Sequence, residues 1–256
     1  MRDVPPATSA RDPRIARAAR LLRAPAPDAF VVDGADLLHE ARAAGLEVEV
    51  VFARADTACA GDVVTAPDAL RALAALGQPP EVAAIVRTPA RPPLPLPPRS
   101  LVLAGVTDAG NVGSIVRTAG ALGLPRVEVL EGSADPWSRK ALRAALGASF
   151  APGLVATGRT LEELRGGVPL AAAVPRGGVP PEELPPGAAV VLGSERHGLS
   201  AEERAACDVA VTVPAPGFES LNVAAAAAIL AWELARTAAA AGDGKPGAGE
   251  RRAGER

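Results

Sequence analysis

Aromatic residues are scarce in this chain of 256 residues, which contains four phenylalanines, two tryptophans and no tyrosine. Since 48% of the residues are nonetheless hydrophobic, the chain can bury a sizeable core, built mostly from alanine, valine and leucine. The formal net charge is only −2. Overall charge therefore does not indicate binding to nucleic acid, and any basic surface has to be local.

Cysteine is almost absent as well. Cys59 and Cys207 lie far apart, without a Cys-x-x-Cys pair or a histidine at ligand spacing. This pattern argues against a zinc site and against a disulfide framework, and it favours two small thiols in a reducing compartment. No apolar run has the length of a membrane span, and the N-terminus lacks the pattern of a secretory signal. We therefore expect a cytoplasmic protein without a bound metal.

The first third of the chain alternates short apolar runs with helical patterns. Residues 1–12 lack periodicity and are predicted to be a flexible leader. Residues 13–87 are predicted to form a compact α/β domain. Its expected elements are a helix over 13–23, a strand from Phe30, a helix capped by Asp33, a strand over 48–52, a helix over 66–76 and a strand over 82–86.

A proline-dense stretch marks the predicted domain boundary. Residues 88–99 contain six prolines, and such a segment resists helix and sheet and acts as a semi-rigid spacer. The second domain, residues 100–238, opens with the apolar run Leu101–Val106, which is typical of a central parallel strand. Alternating helical and strand patterns then predict a parallel sheet covered on both faces. The last residues, 239–256, are predicted to be a disordered tail.

Three stretches of the second domain place polar residues directly after predicted strands. The first runs from Asp108 to Arg117, with a helix expected from about Val112; the second is Gly193-Ser-Glu195, and the third ends at the head of the last long helix. With Asn111 at or before a helix cap and Arg117 in the second turn, both side chains can enter one cleft beyond the carboxyl edge of the sheet. The alternatives are an Arg117–Asp108 ion pair, a surface role for Glu195 and a simple polar cap on the last helix.

In this order and spacing the three stretches resemble the motifs of the SpoU/TrmH methyltransferases of the SPOUT superfamily. The family patterns are Asn-x-Gly-x-x-x-Arg-Thr, Gly-Ser-Glu-x-x-Gly-Leu and Pro-x-x-Gly-x-x-Ser-Leu-Asn-Val. Residues Val32–Ala41 similarly resemble the N-terminal substrate-binding domain, of ribosomal-protein-like α/β fold, that precedes many SpoU-type catalytic domains. The resemblance implies an α/β catalytic domain with a trefoil knot, and a homodimer with the active site near the interface.

The resemblance also implies a reaction: transfer of a methyl group from S-adenosylmethionine (SAM) to a ribose 2′-hydroxyl of RNA, with ribosomal RNA the preferred substrate. Arg117 matches the arginine proposed as general base in the family. Because guanidinium groups normally stay protonated, a purely positioning role remains open. The residues implied to position Arg117 and the ribose are Asn111, Glu195, Ser220 and Asn222. The implied cofactor contacts, from backbone and apolar groups, are Leu192, Gly193, Val213 and Leu221.

Local basic clusters are candidates for RNA contact. Three arginines of the first helix, Arg14, Arg17 and Arg20, recur at three-residue spacing, which indicates either a solvated face or contact with phosphates. In the second domain the candidates are Arg139, Lys140 and Arg143. The motifs are also compatible with a transfer-RNA 2′-O-methyltransferase, a base-modifying SPOUT enzyme, and an RNA-binding or ribosome-assembly protein of the same fold without catalysis.

Overall fold

The structure, a computed structural model, describes residues 6–7, 9–56, 62–74 and 79–240. Across these ranges no helix combines the length and the hydropathy needed to cross a membrane. The predictions that concern Cys59 and Leu76 fall outside the described residues. The predicted tail does too from residue 241 onward, whereas residues 239 and 240 belong to the last helix.

The N-terminal half is built on a four-stranded mixed sheet in the order β1-β4-β2-β3. Strand β4 is antiparallel to both β1 and β2, and β3 is parallel to β2. The strands are β1 (Ala29–Asp33), β2 (Val48–Ala53), β3 (Val63–Val64) and β4 (Val82–Arg87). The helices are α1 (Pro13–Arg23), α2 (Ala35–Ala43) and α3 (Pro67–Leu70), which continues as a 3-10 turn, Arg71–Leu73.

Two expectations for this half are wrong in detail. Asp33 does not cap α2, because Gly34 occupies the cap position with φ 102° and the Asp33 side chain bonds elsewhere. The helix expected over 66–76 is only α3 and its 3-10 turn. Side chains three residues apart eclipse in a 3-10 turn, so Leu70 and Leu73 can both reach the same core, where both are buried.

Part of the predicted flexible leader is ordered. Ala7 is fully buried, its N–H donates to the Val64 carbonyl at 2.9 Å, and its carbonyl accepts from the Ala66 N–H at 3.0 Å. Helix α1 follows, and Asp12 caps it by accepting a hydrogen bond from the Arg14 N–H. The apolar face of α1 packs on the sheet, so its arginines face outward.

The second sheet has six strands in the order β10-β8-β9-β5-β6-β7, and every neighbouring pair is parallel. The predicted parallel α/β fold is therefore confirmed. The strands are β5 (Leu101–Leu103), β6 (Val127–Val129), β7 (Val155–Thr157), β8 (Leu170–Ala173), β9 (Ala189–Leu192) and β10 (Val209–Val211). The helices are α4 (Ala109–Ala121), α5 (Arg139–Ala145), α6 (Ala201–Ala205) and α7 (Val223–Ala240).

This strand order gathers the motif loops. Strand β5 lies beside β9, and β8 separates β9 from β10, so the loops after β5, β9 and β10 leave from one carboxyl edge. Near that edge Val179 pairs with Val211, and Gly178 lies so close to the backbone of Ala210 and Val211 that a Cβ would not fit. The trefoil knot implied by the resemblance stays a prediction.

The proline-dense segment is fixed to the second sheet rather than spanning solvent. Leu96 is buried in the core beneath that sheet. The Arg126 guanidinium donates to the Pro93 carbonyl at 2.9 Å, and the Arg159 guanidinium bonds both the buried Glu128 carboxylate and the Pro92 carbonyl. Proline lacks an N–H but keeps its carbonyl as an acceptor, so arginine donors can hold a segment that cannot join a sheet.

The two halves also share a core. The Phe30 ring of β1 stacks on Trp137 at a centroid distance of 4.9 Å, and the Phe150 ring lies 6.1 Å away on a near-parallel plane. The buried Asp33 carboxylate of β1 also pairs with Arg139 and Arg143 of α5. Aromatic stacking and a desolvated ion pair thus dock the N-terminal half on the second sheet.

Candidate active site

The first motif begins one residue before α4. Asp108 caps this helix, because its carboxylate accepts hydrogen bonds from the N–H groups of Gly110 at 2.7 Å and Asn111 at 3.0 Å. The Lys140 ammonium lies 2.6 Å from the other carboxylate oxygen. The hydrogen bond from Lys140, together with those two N–H groups, holds the pKa of Asp108 below its usual value. The cap extends α4 backward, so Asn111 lies in its first turn rather than before it.

Glu195 of the second motif is the centre of the hydrogen bonding. Its Oε1 accepts from Asn111 Nδ2 at 2.9 Å and from the Asp108 N–H at 3.2 Å. Its Oε2 accepts from the N–H and the hydroxyl of Thr107, each at 3.2 Å. Burial alone would raise the pKa of Glu195, but these donors outweigh it and lower the pKa to about 2. Glu195 is therefore ionised near neutral pH and serves as an acceptor rather than as a proton donor.

The third motif joins this cluster through Asn222. Asn222 Nδ2 donates to Asn111 Oδ1 at 3.4 Å, while Asn222 Oδ1 caps α7 by accepting from the Ala224 N–H at 2.9 Å. One chain of side chains, from Glu195 through Asn111 to Asn222, thus connects three segments that are distant in sequence. We refer to these three residues as the motif junction.

Arg117 lies apart from the motif junction. It follows Asn111 by six residues, which on an α-helix places the two side chains about 120° apart around the axis. It is exposed and lines an open groove whose other wall is Ile229 and Trp232 of α7. Asn111 and Arg117 thus lie on different sides of α4, and their entry into one cleft stays a prediction. The alternative pairing with Asp108 is absent, since Lys140 takes that place, and Arg117 forms no ion pair within the described ranges.

The remaining predicted site residues lie around the same sheet edge. Ser220 is exposed two residues before Asn222. Leu192 and Gly193 are buried at the end of β9, and Val213 is half-buried two residues after β10. At Gly193 the backbone of residues 198–199 fills the space that a Cβ would need, so only glycine fits at this position. Leu221 is 37% exposed.

The predicted RNA contacts are mostly engaged with carboxylates. Of the six, only Arg20 forms no ion pair in the part of the chain that the structure describes. The observed pairs are Arg14–Asp12, Arg17–Glu49, Arg139–Asp33, Arg143–Asp33 and Lys140–Asp108. Side-chain exposure still differs among them, since Lys140 remains largely exposed and Arg139 is mostly covered.

Three residues that hold the motif loops were not predicted to do so: Thr107, Asp108 and Ser133. The Ser133 hydroxyl accepts from the Gly105 N–H at 2.9 Å and donates to the Leu103 carbonyl at 3.0 Å, which fixes the end of β5. The signal for Asp108 was available, because an aspartate three residues before Asn111, after an apolar strand, is a common N-cap pattern. Nothing local identifies Ser133, which acts from 28 residues away.

Metal chemistry and thiol chemistry find no support in the described residues. No group of three or more His, Cys, Asp or Glu side chains in these ranges is placed to hold a metal ion. Burial raises the pKa of the Cys207 thiol to about 11, so this half-buried group stays protonated near neutral pH and is a poor nucleophile.

The sequence is similar to those of known RNA methyltransferases. The sequence model of the SpoU rRNA Methylase family matches residues 98–232, more than half of the chain. The 23S rRNA (guanosine(2553)-2'-O)-methyltransferase RlmP of Bacillus subtilis is 32% identical over 218 residues, covering 80% of this chain and 88% of that protein. The 23S rRNA (uridine(2479)-2'-O)-methyltransferase of Streptomyces viridochromogenes is 31% identical over 191 residues, covering 68% and 67% respectively.

The fold agrees as well. The crystal structure of the SpoU methyltransferase AviRb from Streptomyces viridochromogenes, in complex with the cofactor AdoMet, superposes with a TM-score of 0.76 at 26% identity. The match covers 89% of this chain and 98% of that one. A crystal structure of an RNA 2'-O ribose methyltransferase superposes with a TM-score of 0.70 at 27% identity, covering 91% and 98%. The chain therefore belongs to the SpoU rRNA Methylase family.

Proposed function

We propose that the protein transfers the methyl group of SAM to a ribose 2′-hydroxyl of ribosomal RNA in the cytoplasm. The observation that carries this proposal is the motif junction, in which Glu195, Asn111 and Asn222 bring three distant loops to one sheet edge. The names of the relatives supply the substrate class, since the two ribosomal RNA enzymes described above act on ribose positions of 23S rRNA.

The residues at this edge fit SAM. Leu221 is an exposed leucine of the third motif, and Val213 is half-buried two residues after β10. Leu192 and Gly193 end β9 at the same carboxyl edge of the sheet. Apolar side chains and backbone groups suit an adenosine moiety, and an exposed leucine gains from being covered. SAM, when bound, supplies a methyl group already activated by its sulfonium, so the protein mainly has to align the nucleophile and assist loss of its proton.

The motif junction orients the ribose. Because ionised Glu195 holds the Asn111 amide through its Nδ2, Asn111 Oδ1 is directed away from Glu195 toward Asn222. The bond between the two asparagines is long, at 3.4 Å, so a hydroxyl can readily replace it. The ribose would then lie against Asn111 and Asn222 in place of that bond, with the proton of its 2′-hydroxyl left free. Ser220, two residues before Asn222, would be a further polar contact.

Arg117 acts in this proposal as a positioning group for RNA. Its side chain is exposed, and a guanidinium in water stays protonated and cannot accept the hydroxyl proton. Its planar fork can instead hold an RNA phosphate next to the ribose, and an oxygen of that phosphate takes the proton as the O–methyl bond forms. Further phosphates would contact Arg20, Arg17 and the exposed cations of α5, Lys140 and Arg143; the roles of Arg14 and Arg139 are mainly structural.

A second copy of the chain is the proposed partner at the groove between α4 and α7. The groove has a volume of about 710 Å³ and is lined by Ile229 and Trp232, which are 43% and 61% exposed. Exposed apolar residues of this size mark interaction surfaces. Since Arg117 lines the same groove, a homodimer formed there would place each active site next to the interface.

The test is transfer of tritium from labelled SAM to an unmethylated transcript of 23S rRNA. We expect the wild type to transfer label, Arg117→Ala to abolish transfer while retaining SAM affinity in calorimetry, and Arg204→Ala, an exposed arginine of α6, to match the wild type. Equal activity of Arg117→Ala and wild type would refute the role of Arg117. Nuclease-resistant dinucleotides in the product distinguish ribose from base methylation, and a wild type that binds RNA without transfer would favour the assembly protein.

A further inference from the structure

The aromatic residues of this protein are divided sharply between core and surface. Phe30, Phe52 and Phe150 are fully buried, and Trp137 is only 6% exposed. The other two aromatic residues are Phe218, at 82% exposure, and Trp232, at 61%. In a chain with so few rings, both exposed ones belong to the third motif and the helix that follows it. A largely exposed aromatic ring is a candidate contact for a partner, because covering it would gain a large burial energy.

The two exposed rings occupy different places. Trp232 lies nine residues into α7, about 14 Å along the helix axis from its start, and lines the groove proposed for a second copy. Phe218 lies in the loop before α7, at the end of a turn in which its N–H donates to the Ala215 carbonyl at 3.3 Å. It precedes Ser220 by two residues and Asn222 by four. Phe218 is therefore near the motif junction rather than in the groove.

We propose that Phe218 stacks on the base of the nucleotide whose ribose is methylated. This inference rests on the proposed function and deepens it. If Asn111 and Asn222 hold the ribose, its base lies one glycosidic bond away, within reach of a loop that ends at Asn222. A phenyl ring offers that base an apolar face, and ring-on-base stacking is the usual way in which proteins hold unpaired bases.

Stacking of this kind distinguishes accessible bases from stacked ones, but it hardly distinguishes one base type from another, because every base has a flat face. A base within a continuous helix has both faces covered by its neighbours. Phe218 can therefore contact only a nucleotide that is unpaired or turned out of its helix. The substrate class that follows is a ribosomal RNA loop or bulge with a splayed nucleotide, and a fully paired stem is excluded.

The decisive variant is Phe218→Leu, which keeps apolar bulk and removes the flat ring, with Phe218→Trp as the conservative rescue. On an unmethylated 23S rRNA transcript we expect Phe218→Leu to raise KM for RNA by about tenfold or more, with a smaller change in kcat, since stacking holds ground state and transition state alike. Phe218→Trp should restore most of the lost affinity. Unchanged KM in Phe218→Leu overturns the proposal.

Two further measurements separate the competing roles of the ring. Calorimetry with SAM should give the same affinity for Phe218→Leu and wild type, and sedimentation should give the same oligomeric state. Weaker SAM binding would assign the ring to the cofactor, and a change of oligomeric state would assign it to the second copy; either result overturns base stacking. A wild type without any transfer is failure of the proposed function and is visible before the variants are compared.

Tryptophan fluorescence tests the stacking without requiring methyl transfer. The Phe218→Trp protein should show added tryptophan emission that the transcript quenches, because an indole stacked on a base is quenched. The wild type, with Trp137 buried and Trp232 in the groove, supplies the background change. Added emission that the transcript leaves unchanged contradicts stacking.

Discussion

The carboxylate of Glu195 and the side-chain amide of Asn111 form a 2.9 Å hydrogen bond across 84 positions of sequence. The same carboxylate accepts two backbone N–H groups, from Thr107 and Asp108, at the end of the first motif strand. A single ionised side chain of the second motif thus fixes both the backbone and the key amide of the first. The geometry of the proposed ribose site depends on this one acceptor.

Replacing Glu195 by glutamine tests that dependence. An amide offers one acceptor oxygen, and its NH₂ group would face N–H donors that now have no acceptor. We expect Asn111 to move by a fraction of an ångström or more and the transfer rate to fall roughly hundredfold, since small misplacement of reacting groups is that costly. Single-turnover rates on the 23S rRNA transcript measure the effect. Glu202→Gln, in an exposed position on α6, is the matched control and should retain the wild-type rate.

The pH dependence of stability follows from the same hydrogen bonds. The pKa of Glu195 is lowered from an ordinary 4.5 to about 2, so its contribution is fully present above pH 4.5 and is lost as the pH falls toward 2. The difference in unfolding free energy between wild type and Glu195→Gln should therefore be constant from pH 5 to neutrality and shrink below pH 4.5. Urea denaturation at a series of pH values gives this difference. A difference that grows on acidification would contradict the sign.

The sequence predicts the elements of this fold better than the partners of its side chains. The run Leu101–Val106 indicates a buried parallel strand because burial on both faces demands apolar residues throughout, and β5 occupies the first half of that run, Leu101–Leu103. Asp33 shows the limit: a local pattern suggests a helix cap, but its partners lie 106 and 110 residues later on α5. Which distant charges meet depends on how the two sheets dock, and no local periodicity encodes that.

The motif residues show the same difference between what the sequence predicts and what only the structure gives. Resemblance identified Asn111, Glu195 and Asn222 as a set, and the structure adds what holds them: the Asp108 cap, the Thr107 N–H and the Lys140 ammonium. The sequence did not predict that Asn111 and Arg117 lie on different sides of α4, because it placed the start of this helix near Val112. The Asp108 cap moves that start to Ala109, which puts Asn111 inside the helix, and Arg117 lines the groove beside α7.

The Asp33 ion pair should hold the N-terminal half on the second sheet. Asp33→Asn would leave Arg139, which is mostly covered, without its charge partner, whereas half-exposed Arg143 can return to water. We expect Asp33→Asn to lower the unfolding free energy by about 3 kcal/mol, the scale for removing one partner of a buried pair. Urea unfolding measures it. Asp36→Asn, an exposed position in the first turn of α2, should cost no more than about 1 kcal/mol; equal losses in the two variants would argue against the docking role.

The groove between α4 and α7 gives the last prediction, which depends on the proposed homodimer. Trp232 is the largest exposed residue of α7 and lines this groove opposite Arg117. Trp232→Glu places a charge where a second copy would bury an apolar surface, and taking a carboxylate out of water is costly even with Arg117 across the groove. Sedimentation equilibrium should therefore show a dimeric wild type, a largely monomeric Trp232→Glu and a dimeric Trp232→Phe. Because Arg117 shares the groove, methyl transfer should fall together with dimerisation. If Trp232→Glu remains dimeric, the interface lies elsewhere, and if it becomes monomeric with full activity, the second copy contributes nothing to the active site.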